Sequence, residues 1–224
     1  MADQVSDDLV AKQHVVLITD PMCSWCWGMA EQFKKAQATL GDRVTFELML
    51  GGINIHGTQL IGDYGRRFLM KLWREVAQTT GQEFGFKLPD EYVHNSSLAC
   101  MAIEVVRDHV GEAPFDYLHA LQERFFVRGE NINDLDLLAE LAEPFGVDAQ
   151  MLAAKVREQS IVERVRFQFD NAGAFGTNAM PSLLIERQNR LHLLAGGFVD
   201  AQMLGELLEE VCDHRPEPIH VDQK

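Results

Sequence analysis

The chain has 224 residues, with 20 Lys and Arg against 34 Asp and Glu, a formal charge of −14 and 46% hydrophobic residues. That composition suits one or two globular domains and excludes a disordered or collagen-like chain, while the acidic balance disfavours nucleic acid and anionic lipid as partners. No apolar run reaches the ~20 residues needed to cross a bilayer, and Asp3, Asp7 and Asp8 stand where a secretory leader would carry cations. The expected location is cytoplasmic, or periplasmic if a leader has been removed.

Residues 14–19 form a short β-branched run closed by Asp20-Pro21, which predicts a buried strand ending in a turn. From Ser24 to Leu40, Trp27, Ala30, Phe33, Lys34, Ala36 and Leu40 recur at spacings of three and four. This predicts a helix, stopped at Gly41-Asp42. Val44, Phe46, Leu48 and Leu50 then alternate with Thr45, Glu47 and Met49 up to Gly51-Gly52, as in a second strand. From 57 to 173 the pattern is mostly helical. Asn95-Ser96, Pro114, Asp134 and Asp148 are placed to open successive helices, and residues 161–169 continue the series. Residues 182–186 and 191–194 return to strand character around the polar turn 187–190, and Asp200 caps a last helix containing Met203, Leu204, Leu207, Leu208 and Val211.

The order is therefore strand, helix, strand, helical block, hairpin, helix. No Gly/Ser-rich linker sets the block apart, so it reads as an insertion. The expected division is 12–56 with 174–214 as one discontinuous domain, 57–173 as an all-helical insertion, and 1–11 and 215–224 as flexible tails.

Chemistry concentrates at Cys23 and Cys26, a CxxC pair at the junction of the first strand and helix. The thiolate is the nucleophile in disulfide exchange, and unpaired amide N–H groups at a helix N-terminus favour an anionic sulfur. Cys26 lies one turn inward on the same side, so the spacing provides an attacking and a resolving sulfur. A structural zinc would need two further ligands, and there is no second CxxC to supply them. Met180-Pro181 stands just before a late strand. Proline costs no ladder bond at a strand's first position, so on its own it is only a strand start.

The segment Asp20-Pro21-Met22-Cys23-Ser24-Trp25-Cys26-Trp27-Gly28, the helical insertion and the Met180-Pro181 strand start together resemble the DsbA superfamily, in particular its FrnE-like branch. The resemblance spans essentially the whole chain. It implies an α/β thioredoxin fold with a long inserted all-helical domain and thiol–disulfide oxidoreductase or protein disulfide isomerase activity. It further implies Cys23 as nucleophile, Cys26 as resolving thiol, and Pro181 in the cis form facing them. The backbone of Met180 would pair with an extended substrate segment, with Ser24 and Trp25 also in contact with substrate. Partners would be protein or small disulfides and thiols, with glutathione a candidate co-substrate. No cofactor beyond the redox-active pair and no metal is expected.

Two departures from the wider family are visible. Val15, Val16, Leu17 and Ile18 provide none of the buried carboxylate often found on the strand before the active site, so Cys26 must exchange its proton through water or another residue. Ser24-Trp25 replaces a dipeptide that holds a histidine in DsbA itself, which points to a less oxidising couple than DsbA's. Two rival readings share the resemblance. One is a glutathione-dependent enzyme of the kappa transferase or 2-hydroxychromene-2-carboxylate isomerase type, which usually lacks the second cysteine. The other is a chaperone-like binder of unfolded chains.

The remaining candidates have plainer readings. Cys100 and Cys212 are expected to be small core hydrophobes, Trp27 a core aromatic, and His56 and His94 surface histidines in loops flanking the insertion. Phe68, Leu69, Leu72, Trp73 and Val76 form an apolar stripe suited to core packing. Glu209-Glu210 and the acidic residues at 134–136 suit solvated faces or helix starts.

Overall fold

The computed structural model describes residues 12–213; both expected tails, and His214, lie outside the described residues. Strand β1 (Gln13–Thr19) leads through a tight turn into α1 (Ser24–Leu40), and β2 (Val44–Leu50) follows. Six helices then intervene before the sheet resumes: α2 (Asp63–Thr80), α3 (Ser97–Val110), α4 (Phe115–Phe126), α5 (Leu135–Ala142), α6 (Ala149–Lys155) and α7 (Gln159–Ala172). The chain finishes with β3 (Ser182–Arg187), β4 (Arg190–Gly196) and α8 (Ala201–Asp213).

The strand order is β2-β1-β3-β4, with β1 parallel to β2 and antiparallel to β3, and β4 antiparallel to β3. A βαβ unit and a ββα unit thus share one sheet, the thioredoxin arrangement, with the helical block inserted between them. The hairpin turns at Gln188 and Asn189, both at positive φ (52° and 56°), as a two-residue connection matching the strand twist requires.

Alternation along β1 divides the sheet's two faces. Val15 and Leu17, with Leu183 and Ile185, meet Met29, Phe33 and Leu40 of α1 and Leu204, Leu208 and Val211 of α8. Val16, Ile18 and Leu184 point the other way, toward Ala172, Phe175 and Met180. The core of the helical block is continuous with the start of α1, because Met22, Trp27, Leu48 and Leu50 belong to the same buried cluster as Trp73, Phe125 and Phe126. Trp27 stacks on Phe126 at 6.1 Å, and its indole N–H donates to the Glu83 carbonyl at 2.8 Å. The base of the CxxC helix is therefore held by the insertion as well as by the sheet.

Asp134, Asp148 and Asp200 cap their helices as expected: their carboxylates accept from Asp136 and Leu137, from Met151 and from Met203 respectively. Each such cap contributes about 1 kcal/mol. Between Gly81 and Ser96 the helical block runs as irregular chain except for a bridge between Val93 and Leu60. The cause is close packing of backbone. Gly85 N–H donates to the Phe126 carbonyl at 2.9 Å, and a β-carbon at Gly85 would lie 1.8 Å from the Val127 carbonyl oxygen.

The apolar stripe on α2 divides between core and surface. Leu69, Trp73 and Val76 are buried, while Phe68 is 56% exposed. Among the described residues no helix is long and apolar enough to cross a membrane.

Candidate active site

Cys23 is the N-cap of α1, in an extended conformation that turns its side chain back over the first helical turn. Its sulfur accepts the Cys26 backbone N–H at 3.3 Å, which is the interaction that a helix N-terminus offers an anion. Its own N–H is anchored to the Asp20 carbonyl at 3.1 Å. Across the site the Met180–Pro181 peptide bond is cis, and the Cys23 thiol donates to the Met180 carbonyl at 3.6 Å. Two elements 157 residues apart in sequence therefore meet at one sulfur.

Cys23 is 7% and Cys26 5% exposed, so the difference between them lies in their surroundings rather than in access alone. Burial, followed by the hydrogen bond and charge of Cys23, pushes the Cys26 thiol well above its ordinary range, against weaker opposition from the Thr19 hydroxyl and the Asp20 backbone. Cys26 is thus held as a neutral thiol. It lines a crevice of about 40 Å³ together with Thr19, Pro181, Gln122 and His119.

The Met180 side chain packs over Gly51, just after β2: a β-carbon there would lie 2.0 Å from the Met180 sulfur, so a side chain at 51 would make that thioether shift. The backbone there is fixed by Gly51 N–H on the Thr19 carbonyl (2.9 Å) and by Leu50 N–H on the buried Gln168 side chain (2.9 Å).

Of the other sequence candidates, Ser24 is buried in the first turn, and Trp25 is half-buried with its ring 5.6 Å from Phe198. Trp27 is 3% exposed and lies in the core. His56 is exposed. His94 stacks on Phe125, and burial lowers its pKa to about 4, so it is neutral at physiological pH and brings no positive charge to the cysteines. None of the four cysteines is in a disulfide, and Cys100 and Cys212 lie in separate cores. Glu209 makes a two-point contact with Arg43, both bonds at 2.9 Å. Among the described residues no three His, Cys, Asp or Glu side chains converge to hold a metal ion.

Asp20 is the residue that sequence reasoning missed. Read as a turn former, it is fully buried. Its carboxylate accepts from Met22 N–H (2.8 Å), Ile53 N–H (3.1 Å), the Ser96 hydroxyl (2.6 Å) and the Cys100 thiol (3.7 Å). Ser96 stands at the N-cap of α3 but makes no side-chain cap bond; Asn95 serves Ser97 N–H instead. Asp20 therefore ties the CxxC turn to the loop after β2 and to the start of α3. Cys100 is consequently more than a core hydrophobe, since its thiol donates to this carboxylate.

Burial, partly offset by those donors, raises the Asp20 pKa from 3.8 to about 6. A carboxylate whose folded-state value is raised contributes stability that is fully present below about pH 4 and is lost as the pH rises through about 6. Relative to Asp20→Asn, which does not titrate, the wild type is expected to lose about 2 kcal/mol between about pH 4 and 7, read from urea midpoints. A constant difference across that range would show that the carboxylate is ionised throughout.

The ClpXP adapter protein SpxH of Bacillus subtilis is 22% identical over 212 residues, covering 92% of this chain and 69% of that protein. A candidate protein disulfide isomerase from Nitrosomonas europaea superposes with a TM-score of 0.80 at 26% identity, covering 89% of this chain and 97% of that one. The cytosolic disulfide reductase DsbM of Pseudomonas aeruginosa superposes with a TM-score of 0.66 at 24% identity over 88% of this chain and 95% of its own; DsbM also has a structure with GSH. A family match over residues 14–209 takes in both cysteines, the helical block and cis-Pro181, and by it the chain belongs to the DSBA-like thioredoxin domain family.

Proposed function

We propose that the protein is a thiol–disulfide oxidoreductase that reduces, forms or rearranges disulfides through Cys23 and Cys26, as part of the FrnE-like branch. The observation that carries this reading is the placement of Cys23 Sγ, 3.3 Å from the Cys26 amide at the start of α1 and 3.6 Å from the Met180 carbonyl beside cis-Pro181. In the reducing direction the Cys23 thiolate attacks one sulfur of a substrate disulfide, and the other sulfur leaves as a thiolate. Cys26 then loses its proton and attacks Cys23; the enzyme disulfide forms, and the second substrate sulfur departs. Two electrons pass from the cysteine pair to the substrate, and the reverse sequence oxidises a dithiol.

Around this centre, Met180 offers its backbone to an extended segment, as an added strand would use it. Ser24 and Trp25 flank the attacking sulfur and complete the substrate contact. Protein disulfides and small thiols such as glutathione both suit the site, and a reducing cytosol would make the pair mainly a reductase or isomerase. The presence of Cys26 weighs against a glutathione transferase or chromene-carboxylate isomerase reading, because neither needs a resolving sulfur.

Whole-chain similarity to SpxH supports a second reading, in which the fold binds a protein partner as an adapter. Reductase turnover of a protein disulfide such as insulin distinguishes the two. Turnover that is lost in Cys23→Ser supports exchange, whereas partner binding that survives loss of both cysteines without any turnover supports the adapter. With Ser24-Trp25 between the cysteines, equilibration against glutathione is expected to give a potential clearly more negative than the about −120 mV of DsbA. A value near that figure would contradict the less oxidising couple.

A further inference from the structure

The resolving step must take a proton from a thiol that the fold holds neutral, and the neighbouring strand supplies no carboxylate for the purpose. Leu17 occupies the middle of β1, and Asp20 turns its carboxylate toward Met22, Ile53, Ser96 and Cys100 rather than toward Cys26. An outlet exists elsewhere. The crevice that reaches Cys26 is bounded by α1 and by α4 of the helical block, and its about 40 Å³ exceeds the roughly 10–15 Å³ that a single water requires.

Its walls give water polar partners: the Thr19 hydroxyl, the Gln122 amide and the His119 ring. His119 lies one turn before Gln122 on α4. Its ring is 5.2 Å from that of Trp27, the residue after Cys26, and its Nε2 is 3.7 Å from Glu31 Oε1. The side chain is 26% exposed and lines the crevice. Lys34 of α1 and Asp116 of α4 also line the crevice and pair with each other at 3.7 Å. Among the residues lining the crevice, His119 carries ring nitrogens that can both accept and donate a proton.

The geometry points to this crevice as the proton path of the resolving cysteine, with His119 as its relay residue. This rests on the thiol-exchange reading. During resolution the Cys26 proton passes through a water to the His119 ring as the Cys26 sulfur bonds to Cys23 and the substrate sulfur leaves. Glu31 stabilises the imidazolium so formed, which returns its proton to solvent; in the reverse direction His119 supplies the proton to Cys26. The helical insertion thereby contributes to the chemistry a group that the sheet does not.

The test uses the full chain and a fluorescent disulfide peptide, following formation and resolution of the mixed disulfide separately by stopped flow. His119→Gln is expected to slow resolution about tenfold or more near neutral pH and to remove an inflection from its pH profile, with attack by Cys23 unchanged. Added imidazole should restore rate to His119→Ala. Resolution that keeps its wild-type rate and pH inflection in both variants would overturn the relay. So would a slowed variant that retains the inflection and ignores imidazole, or loss of the inflection in Asp20→Asn in place of His119→Gln. If the wild-type Cys23 forms no mixed disulfide at all, the exchange reading falls and the relay falls with it.

Discussion

Cys23→Ser is expected to reduce disulfide turnover by at least about a thousandfold while leaving the fold intact, because a hydroxyl at the N-cap of α1 can still accept the Cys26 N–H but cannot exchange with a disulfide. Serine is in fact the better capping residue, so thermal stability should hold or rise slightly. Cys26→Ser should behave differently: the first substrate sulfur is released with a normal burst, and the reaction then stops at the mixed disulfide. Steady-state and single-turnover rates on the same two variants check this. Equal loss of the burst in both would mean that the cysteines do not divide the labour between attack and resolution.

The largest expected effect on stability lies at Glu104, well away from the cysteines. Fully buried on α3, its carboxylate oxygens lie 2.8 Å from Arg107 Nη1 and 2.9 Å from Arg164 Nε, as ion pairs rather than hydrogen bonds. Arg107 also donates to the Leu48 carbonyl at 2.6 Å, covering the outer edge of β2, and Arg164 belongs to α7, the helix that sends Gln168 to Leu50 N–H. One carboxylate thus secures α3, α7 and the edge of the sheet that leads to Gly51. Glu104→Ala leaves two cations beside an apolar gap and is expected to cost about 3–5 kcal/mol, the usual range for removing one partner of a buried pair. Urea unfolding measures it. A loss below about 1 kcal/mol would show that Arg107 and Arg164, 20% and 40% exposed, satisfy themselves in solvent.

These two sites differ in how far the sequence revealed them. β2 and α1 were readable because their burial follows simple periods, two residues in β2 and between three and four in α1, and β1 because it is a short β-branched run buried along most of its length. The caps at Asp134, Asp148 and Asp200 were readable because the partner of each lies two or three residues away. Cys23 and Cys26 were readable for the same reason, since a CxxC at a helix start brings its two sulfurs together by local geometry alone. The arrival of Met180 and cis-Pro181 beside them depends on the whole sheet closing, and family resemblance rather than local physics anticipated it.

Asp20 and Glu104 were not readable. Each sits in a context with an ordinary local meaning, an Asp-Pro turn and one charge on a helix, and each is buried by partners distant in sequence: Ser96 and Cys100 for Asp20, Arg164 for Glu104. The run from Gly81 to Ser96 escaped for a related reason. Its shape is set by the approach of Val127 to Gly85, a contact between backbones that no side-chain pattern encodes.

The central claim is that Cys23 alone captures substrate and that Cys26 releases it. Its most direct measurement is mass spectrometry of the Cys26→Ala chain after reaction with an unfolded, disulfide-bearing protein, with every cysteine mapped. The account requires one mixed disulfide per chain, at Cys23. An adduct at Cys100 or Cys212 instead, or no adduct under conditions where the wild type turns over, would contradict it.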